Sequence, residues 1–186
     1  MFSPCNIFKF CPQCGADQLS SLSQFVLKCQ KCGFQYHINS AAAAVAIIKN
    51  DKGELLTVRR ARMPKKGKLH LPGGFAEVGE TAEEALIREV REELNIEIST
   101  YNYLQSQSGH YTYKDVTYYP LDLYFESTVK SFENIILDDE NSEYIFIPFN
   151  KLDISQLGFD TTKAVLSWYK DRELTKKLKT TIGTGT

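Results

Sequence analysis

The sequence predicts an α/β protein, a mixed sheet with helices on two sides, preceded by a small metal-closed ribbon. Three observations predict it. Two Cys-x-x-Cys-Gly pairs stand within the first 33 residues, strand-like runs rich in Ala, Val, Ile and Tyr fill the middle, and two stretches carry helical start signals. At 186 residues the chain has room for one ordinary domain plus an appendage. Its 22 basic and 23 acidic residues leave a net charge of −1, so nothing implies bulk attraction to nucleic acid or membrane. The longest apolar run, residues 41–48, is too short to span a bilayer, and the amino terminus lacks a signal-peptide pattern. The expected location is the cytoplasm.

Residues 1–37 are expected to form the ribbon. Cys11, Cys14, Cys29 and Cys32 follow the spacing C-x2-C-x14-C-x2-C of a closed four-thiolate zinc site, with Gly15 and Gly33 where the backbone must turn around the sulfurs. So short a segment buries too little apolar surface to fold alone, and structural Zn2+ would supply the missing stability. Two disulfides or unconnected thiols are the competing readings, of which a reducing cytosol disfavours the first. A saturated site has a structural role, and Lys28 and Lys31 are too few to make it a strong nucleic-acid surface. Cys5 is left over as a thiol outside the pairs.

Residues 38–178 are expected to form the main domain, with 179–186 a loose tail lacking any packing pattern. "AAAAVAIIK" and "ELLTVRR" read as strands joined through "NDKG" as a hairpin. "LHLPGGFAEVGE" places Pro72, Gly73, Gly74 and Gly79 in an irregular loop. Strands follow over about 101–107, 115–129 and "SEYIFIPF", and a closing helix begins at Asp160 as its cap. No internal repeat is present.

Between the glycine loop and these strands lies an acidic helix. Thr81 and Glu84 form a capping-box pattern, and Leu86, Val90 and Leu94 share a core-facing flank. Glu89, Glu92 and Glu93, spaced i, i+3 and i+4, fall within about a third of the helix circumference. A solvated acidic face with Arg88 and Arg91 as partners is one reading; a socket for hard divalent cations is the other. Charge is also segregated: residues 59–68 hold six basic residues and no acid, whereas 77–97 hold eight glutamates against two arginines. Carboxylates for a cation and basic groups for phosphate oxygens are what a metal-assisted reaction on a polyanion needs, although loop lysines are often simply solvated.

The stretch "GFAEVGETAEEALIREVREELNI", Gly74 to Ile96, resembles the signature of the Nudix hydrolases. Gly74, Glu80, Arg88, Glu89, Val90, Glu92, Glu93 and Ile96 fall in register; Asn95 stands where the family has glycine, at a helix end that needs a left-handed residue. The resemblance covers about residues 38–178 and implies a Nudix α/β/α sandwich. It implies Mg2+ or Mn2+ on Glu89, Glu92 and Glu93, helped by the carbonyl of Gly73. Glu80 would orient the cluster through Arg88 or water, and Arg88 would hold Glu84 or Glu92. The reaction implied is hydrolysis of a diphosphate linkage. The proton acceptor varies in the family; Glu93, Glu140 and Glu143 are candidates here, the last two equally readable as a solvated acidic loop.

A four-cysteine ribbon ahead of such a domain resembles the NADH pyrophosphatases. Those enzymes carry a further domain before the ribbon, whereas ten residues precede Cys11 here, and their Ser-Gln-Pro-Trp-Pro-Phe-Pro-like motif is not reproduced in residues 103–121. The substrate expected is therefore a nucleoside diphosphate linked to another group, ADP-ribose-like or a dinucleotide, ahead of a nucleoside triphosphate. Tyr111, Tyr113, Tyr118 and Tyr119 are candidates for stacking on a base, or packing residues of their strands; His70 is a substrate contact or a core histidine. Family members commonly dimerise, which makes a homodimer an option. A nucleotide sensor without turnover is the alternative function, although every expected acid is in place. Nucleic-acid binding through the ribbon is disfavoured by the near-neutral charge.

Overall fold

In the computed structural model of the chain, residues 4–182 are described. The chain forms two compact units, Met1–Ala41 with His110–Pro120, and Ala42–Gly109 with Leu121–Thr186.

The first unit holds β1 (Leu19–Ser23), β2 (Val26–Cys29) and β3 (Gln35–His37), each antiparallel to the next. Two knuckles frame this sheet and are built alike. Gly15 N donates to Cys11 O and Cys11 N to Ala16 O; Gly33 N donates to Cys29 O and Cys29 N to Phe34 O. At φ 70° and 77°, Gly15 and Gly33 occupy the left-handed region that closes such turns without a Cβ clash. The same unit contains a hairpin from later in the chain: β9 (Tyr111–Tyr113) and β10 (Val116–Tyr118), joined by Lys114 and Asp115, both at positive φ. Tyr119 packs edge-on against Phe25, with ring centroids 5.4 Å apart.

The second unit is an α/β sandwich. One sheet runs in the order β7 (Gly73–Phe75), β4 (Ala41–Ile48), β11 (Pro120–Val129), β8 (Ile98–Ser108); the other runs β12 (Asn141–Pro148), β5 (Glu54–Arg60), β6 (Leu69–His70). Strand β4 is buried on both faces. Ala44, Ala46 and Ile48 pack with Ala85, Leu86, Val90 and Leu94 of α1 (Ala82–Leu94). Val45 and Ile47 pack with Val165, Leu166 and Tyr169 of α2 (Asp160–Ile182). Burying each branched aliphatic chain contributes roughly 1.5–3 kcal/mol, so the two clusters fix where both helices lie against their strands.

Three expectations are corrected. The "NDKG" turn forms, with Asn50 Oδ1 accepting from Lys52 N and Glu54 N, but a single bridge, Lys49 to Leu55, links the two strands before they part into different sheets. The glycine loop is partly strand, because Gly73 and Gly74 pair with Val45 and Ala44. Asp160 is the first residue of α2 rather than its cap, with Lys163 Nζ on its carboxylate. As for the loose tail, α2 continues to Ile182, and residues 183–186 lie outside the described residues.

Candidate active site and metal ribbon

The acidic helix begins as its sequence dictates. Glu84 N donates to Thr81 Oγ1 at 3.2 Å and Thr81 N to Glu84 Oε2 at 2.8 Å, the reciprocal pair of a capping box, which stabilises a helix start by about 1 kcal/mol. It ends at Asn95, left-handed at φ 54° and ψ 31°. Leu86, Val90 and Leu94 are fully buried, and that anchoring decides where the glutamates point.

Arg88 organises three of them. Its Nε and Nη2 donate to both oxygens of Glu80 at 2.8 Å, and Nη1 donates to Glu89 at 2.8 Å and to Glu92 at 3.0 Å. Nη2 also donates to Phe75 O, tying the guanidinium to β7. Of the two alternatives expected for Arg88 it holds Glu92, while the Glu84 carboxylate serves the capping box. Hydrogen bonds from Arg88, then from Glu77 N, hold the Glu80 carboxyl down at about 2. Burial raises Glu89 despite Arg88, and the charges of Glu92 and Glu140 add to the rise.

Glu93 is different. It is only 6% exposed, Gly73 N donates to its Oε2 at 2.9 Å, and among the described residues it is in no ion pair. Burial pushes its carboxyl up to about 8, against the lowering effect of Gly73 N and the Asn141 amide, with Glu89 and Asp138 adding like charge. The glycines permit this approach. A Cβ on Gly73 would lie 2.1 Å from Ala44 O, and one on Gly74 would lie 2.5 Å from the Glu89 carboxyl. Gly74→Ala should therefore fold, because the obstacle is the end of a side chain, yet displace Glu89 and cost about tenfold or more in turnover. Wild-type kcat with unchanged melting would refute it.

The two later acids part company. Glu143 is paired with Arg59, its cross-strand neighbour, and Arg62 with Asp139. Glu140 lies close enough to Glu89 for its charge to raise that group. Sequence reading missed Asn141, buried at the start of β12, whose Nδ2 donates to Asp138 Oδ1 at 3.0 Å. Its neighbours in "LDDENSEY" read as an acidic loop, and no periodic signal marks a buried amide there. His70 is likewise buried, and burial lowers it to about 4, so it is neutral; its Nε2 lies 2.9 Å from Asn141 Oδ1. The four candidate stacking tyrosines belong to the ribbon unit: Tyr111 and Tyr118 stack at 5.3 Å, and Lys114 lies over Tyr113.

In the ribbon, the sulfurs of Cys11 and Cys32 are 3.7 Å apart, as are those of Cys14 and Cys29, and all four lie within 4.8 Å of one another. No disulfide joins them. Four thiolates about 2.3 Å from a central ion stand about 3.8 Å apart at the edges of a tetrahedron, so the cluster can hold a metal ion. The backbone N–H groups of Cys32, and then Lys31, hold the Cys29 thiol down at about 7. Cys5, outside the cluster, donates its thiol to Gln24 O at 3.3 Å.

Comparison with known proteins agrees with this geometry. The chain is 35% identical over 99 residues to the NAD-capped RNA hydrolase NudC of Photorhabdus laumondii, a match covering 53% of this chain and 38% of that protein. It is 34% identical over 101 residues to the protein of the same name from Pseudomonas aeruginosa, covering 54% and 35%. The chain thus matches well under half the length of these curated relatives. Its fold matches the crystal structure of a NUDIX hydrolase from Nitrosomonas europaea with a TM-score of 0.69 at 22% identity, covering 88% of this chain and 91% of that one. A MutT protein from Methanosarcina mazei matches with a TM-score of 0.58 at 24% identity, covering 72% and 94%. The NUDIX domain model matches residues 39–169, and with the acidic helix, glycine loop and α/β sandwich in place, the chain belongs to the NUDIX domain family.

Proposed function

We propose that the chain hydrolyses the diphosphate linkage of a nucleoside diphosphate joined to another group, ADP-ribose-like or a dinucleotide, with Mg2+ or Mn2+, releasing a nucleoside monophosphate. The observation that carries this reading is the Glu93 carboxyl beside Glu89, buried and, among the described residues, in no ion pair. A hard divalent ion is the charge that would draw these carboxyls together, and Glu89, Glu92, Glu93 and the Gly73 carbonyl would hold it. When bound, the ion supplies neutralisation of the diphosphate oxygens and a lowered pKa for water. Arg88 and Glu80 keep Glu89 and Glu92 in line through the bonds described. Glu140, whose charge reaches Glu89, and Glu143, paired with Arg59, are the candidate proton acceptors besides Glu93.

The curated relatives' name, NAD-capped RNA hydrolase, supports a dinucleotide-type linkage over a nucleoside triphosphate. In the ribbon, Cys11, Cys14, Cys29 and Cys32 would hold structural Zn2+, whose preference for four thiolates in a tetrahedron their spacing fits. A cytoplasmic location suits these unbridged thiols, and among the described residues no helix is long and apolar enough to cross a membrane.

The test is a substrate panel with Mg2+ and then Mn2+: ADP-ribose, NAD, NADH, diadenosine polyphosphates, nucleotide sugars, nucleoside triphosphates and an NAD-capped RNA. Release of a nucleoside monophosphate from the diphosphate-linked compounds is expected, with nucleoside triphosphates poorer. Tight binding of one compound without turnover of any would replace the hydrolase with a nucleotide sensor.

A further inference from the structure

Three buried polar side chains meet beside the proposed cation site from three separate segments: His70 on β6, Glu93 on α1 and Asn141 at the start of β12. Asp138 Oδ1 accepts from Glu140 N at 3.1 Å and from Asn141 Nδ2 at 3.0 Å. The Asn141 amide must therefore present its NH2 on that side, which turns Oδ1 to His70 Nε2 at 2.9 Å. A ring nitrogen facing an amide oxygen has to donate, so this contact puts the His70 proton on Nε2.

We propose that His70 is a positioning residue for the acidic site: by donating to Asn141 Oδ1 it locks the amide with its NH2 toward Asp138 and Glu93. The inference rests on the hydrolase reading above. A reversed amide would set Oδ1 against the Asp138 carboxylate, an acceptor it repels, and withdraw the N–H that reaches Glu93. With the lock in place, Asp138 holds the turn that carries Glu140, and Asp138 N donates to Glu93 O at 3.3 Å, so the acid loop and the helix keep one spacing. Neither His70 nor Asn141 needs to touch substrate or cation for this.

His70→Met fills the same space without a donor, whereas His70→Gln restores an N–H at similar reach. With wild-type protein as reference, Mn2+ binding is followed by electron paramagnetic resonance, and kcat and KM are measured on the best compound of the panel. His70→Met should weaken Mn2+ half-saturation and lower kcat by about 10–100-fold, with KM within about threefold, the usual loss for a partner one shell from a metal. His70→Gln should recover most of both. If His70→Met does not fold, His70→Leu removes the same donor, leaves the Asn141 amide intact and is read in the same way. Wild-type protein that turns over substrate and binds Mn2+, with His70→Met matching it within about twofold or His70→Gln failing as badly, overturns the positioning role alone. Wild-type protein that does neither removes the hydrolase reading, and this one with it.

Discussion

Glu93→Gln is expected to remove turnover while making the cation-free protein more stable. The two effects share one cause. In the fold, burial lifts the Glu93 carboxyl from an ordinary 4.5 to about 8. Between those values the unfolded chain has shed a proton that the folded chain still holds. The sign follows: stability is full below about pH 4.5 and falls as pH rises toward about 8, by up to about 1.4 kcal/mol per pH unit. Glutamine is neutral in both states, so the variant loses that slope. Each kcal/mol recovered near neutral pH should raise Tm by about 2–4 °C in a chain of this size. Cation binding needs the ionised carboxylate, so it releases a proton and strengthens with pH over the same window. Turnover should drop by more than about a hundredfold, since even partners one shell further out are worth about 10–100-fold. Melting curves in chelator from about pH 5 to 8, with turnover measured in parallel, check both halves. Parallel slopes for wild type and variant, or near-normal activity, would take Glu93 out of the site.

The second large effect is expected in the ribbon. Cys29 is fully buried, and its sulfur is one of four converging sulfurs. Cys29→Ser should abolish stoichiometric zinc and leave the amides of the knuckles and of β1–β3 exchanging freely. Structural zinc contributes about 10–16 kcal/mol of binding free energy in isolated zinc-finger peptides, far more than so small a sheet can replace. Metal analysis gives about one zinc per chain for wild type and none for the variant on this reading. Freshly purified, reduced wild-type protein without zinc would refute it. Hydrogen exchange that did not differ between the two would show instead that the ribbon folds without the ion.

What was legible in the sequence was local. Helix α1 needed only Thr81, Glu84, Asn95 and a row of leucines within its own span, and its cap, end and buried flank all appear as read. The cysteine knuckles are legible for the same reason, each closed by hydrogen bonds between residues at most five apart. What escaped was set by distant segments. The "NDKG" turn is real, but which sheet each flanking strand joins depends on β11 and β12, encoded far downstream. Asn141 gains its meaning from His70, 71 positions away, and no pattern in either neighbourhood announces the pair.

The hairpin His110–Pro120 clusters with Met1–Ala41 although it is encoded inside the stretch that forms the other unit. During synthesis the ribbon therefore emerges long before the piece that completes it, and Phe25 waits for Tyr119 until most of the chain has left the ribosome. By then β11, which lies between β4 and β8 in its sheet, is the next strand to appear. The ribbon unit is thus complete in sequence while the other still awaits β11, β12 and α2. A gene fragment cut after residue 41 would yield a ribbon lacking part of its own packing, and deleting the ribbon would take Phe25 from Tyr119. The two segments have to be inherited, expressed and engineered as one.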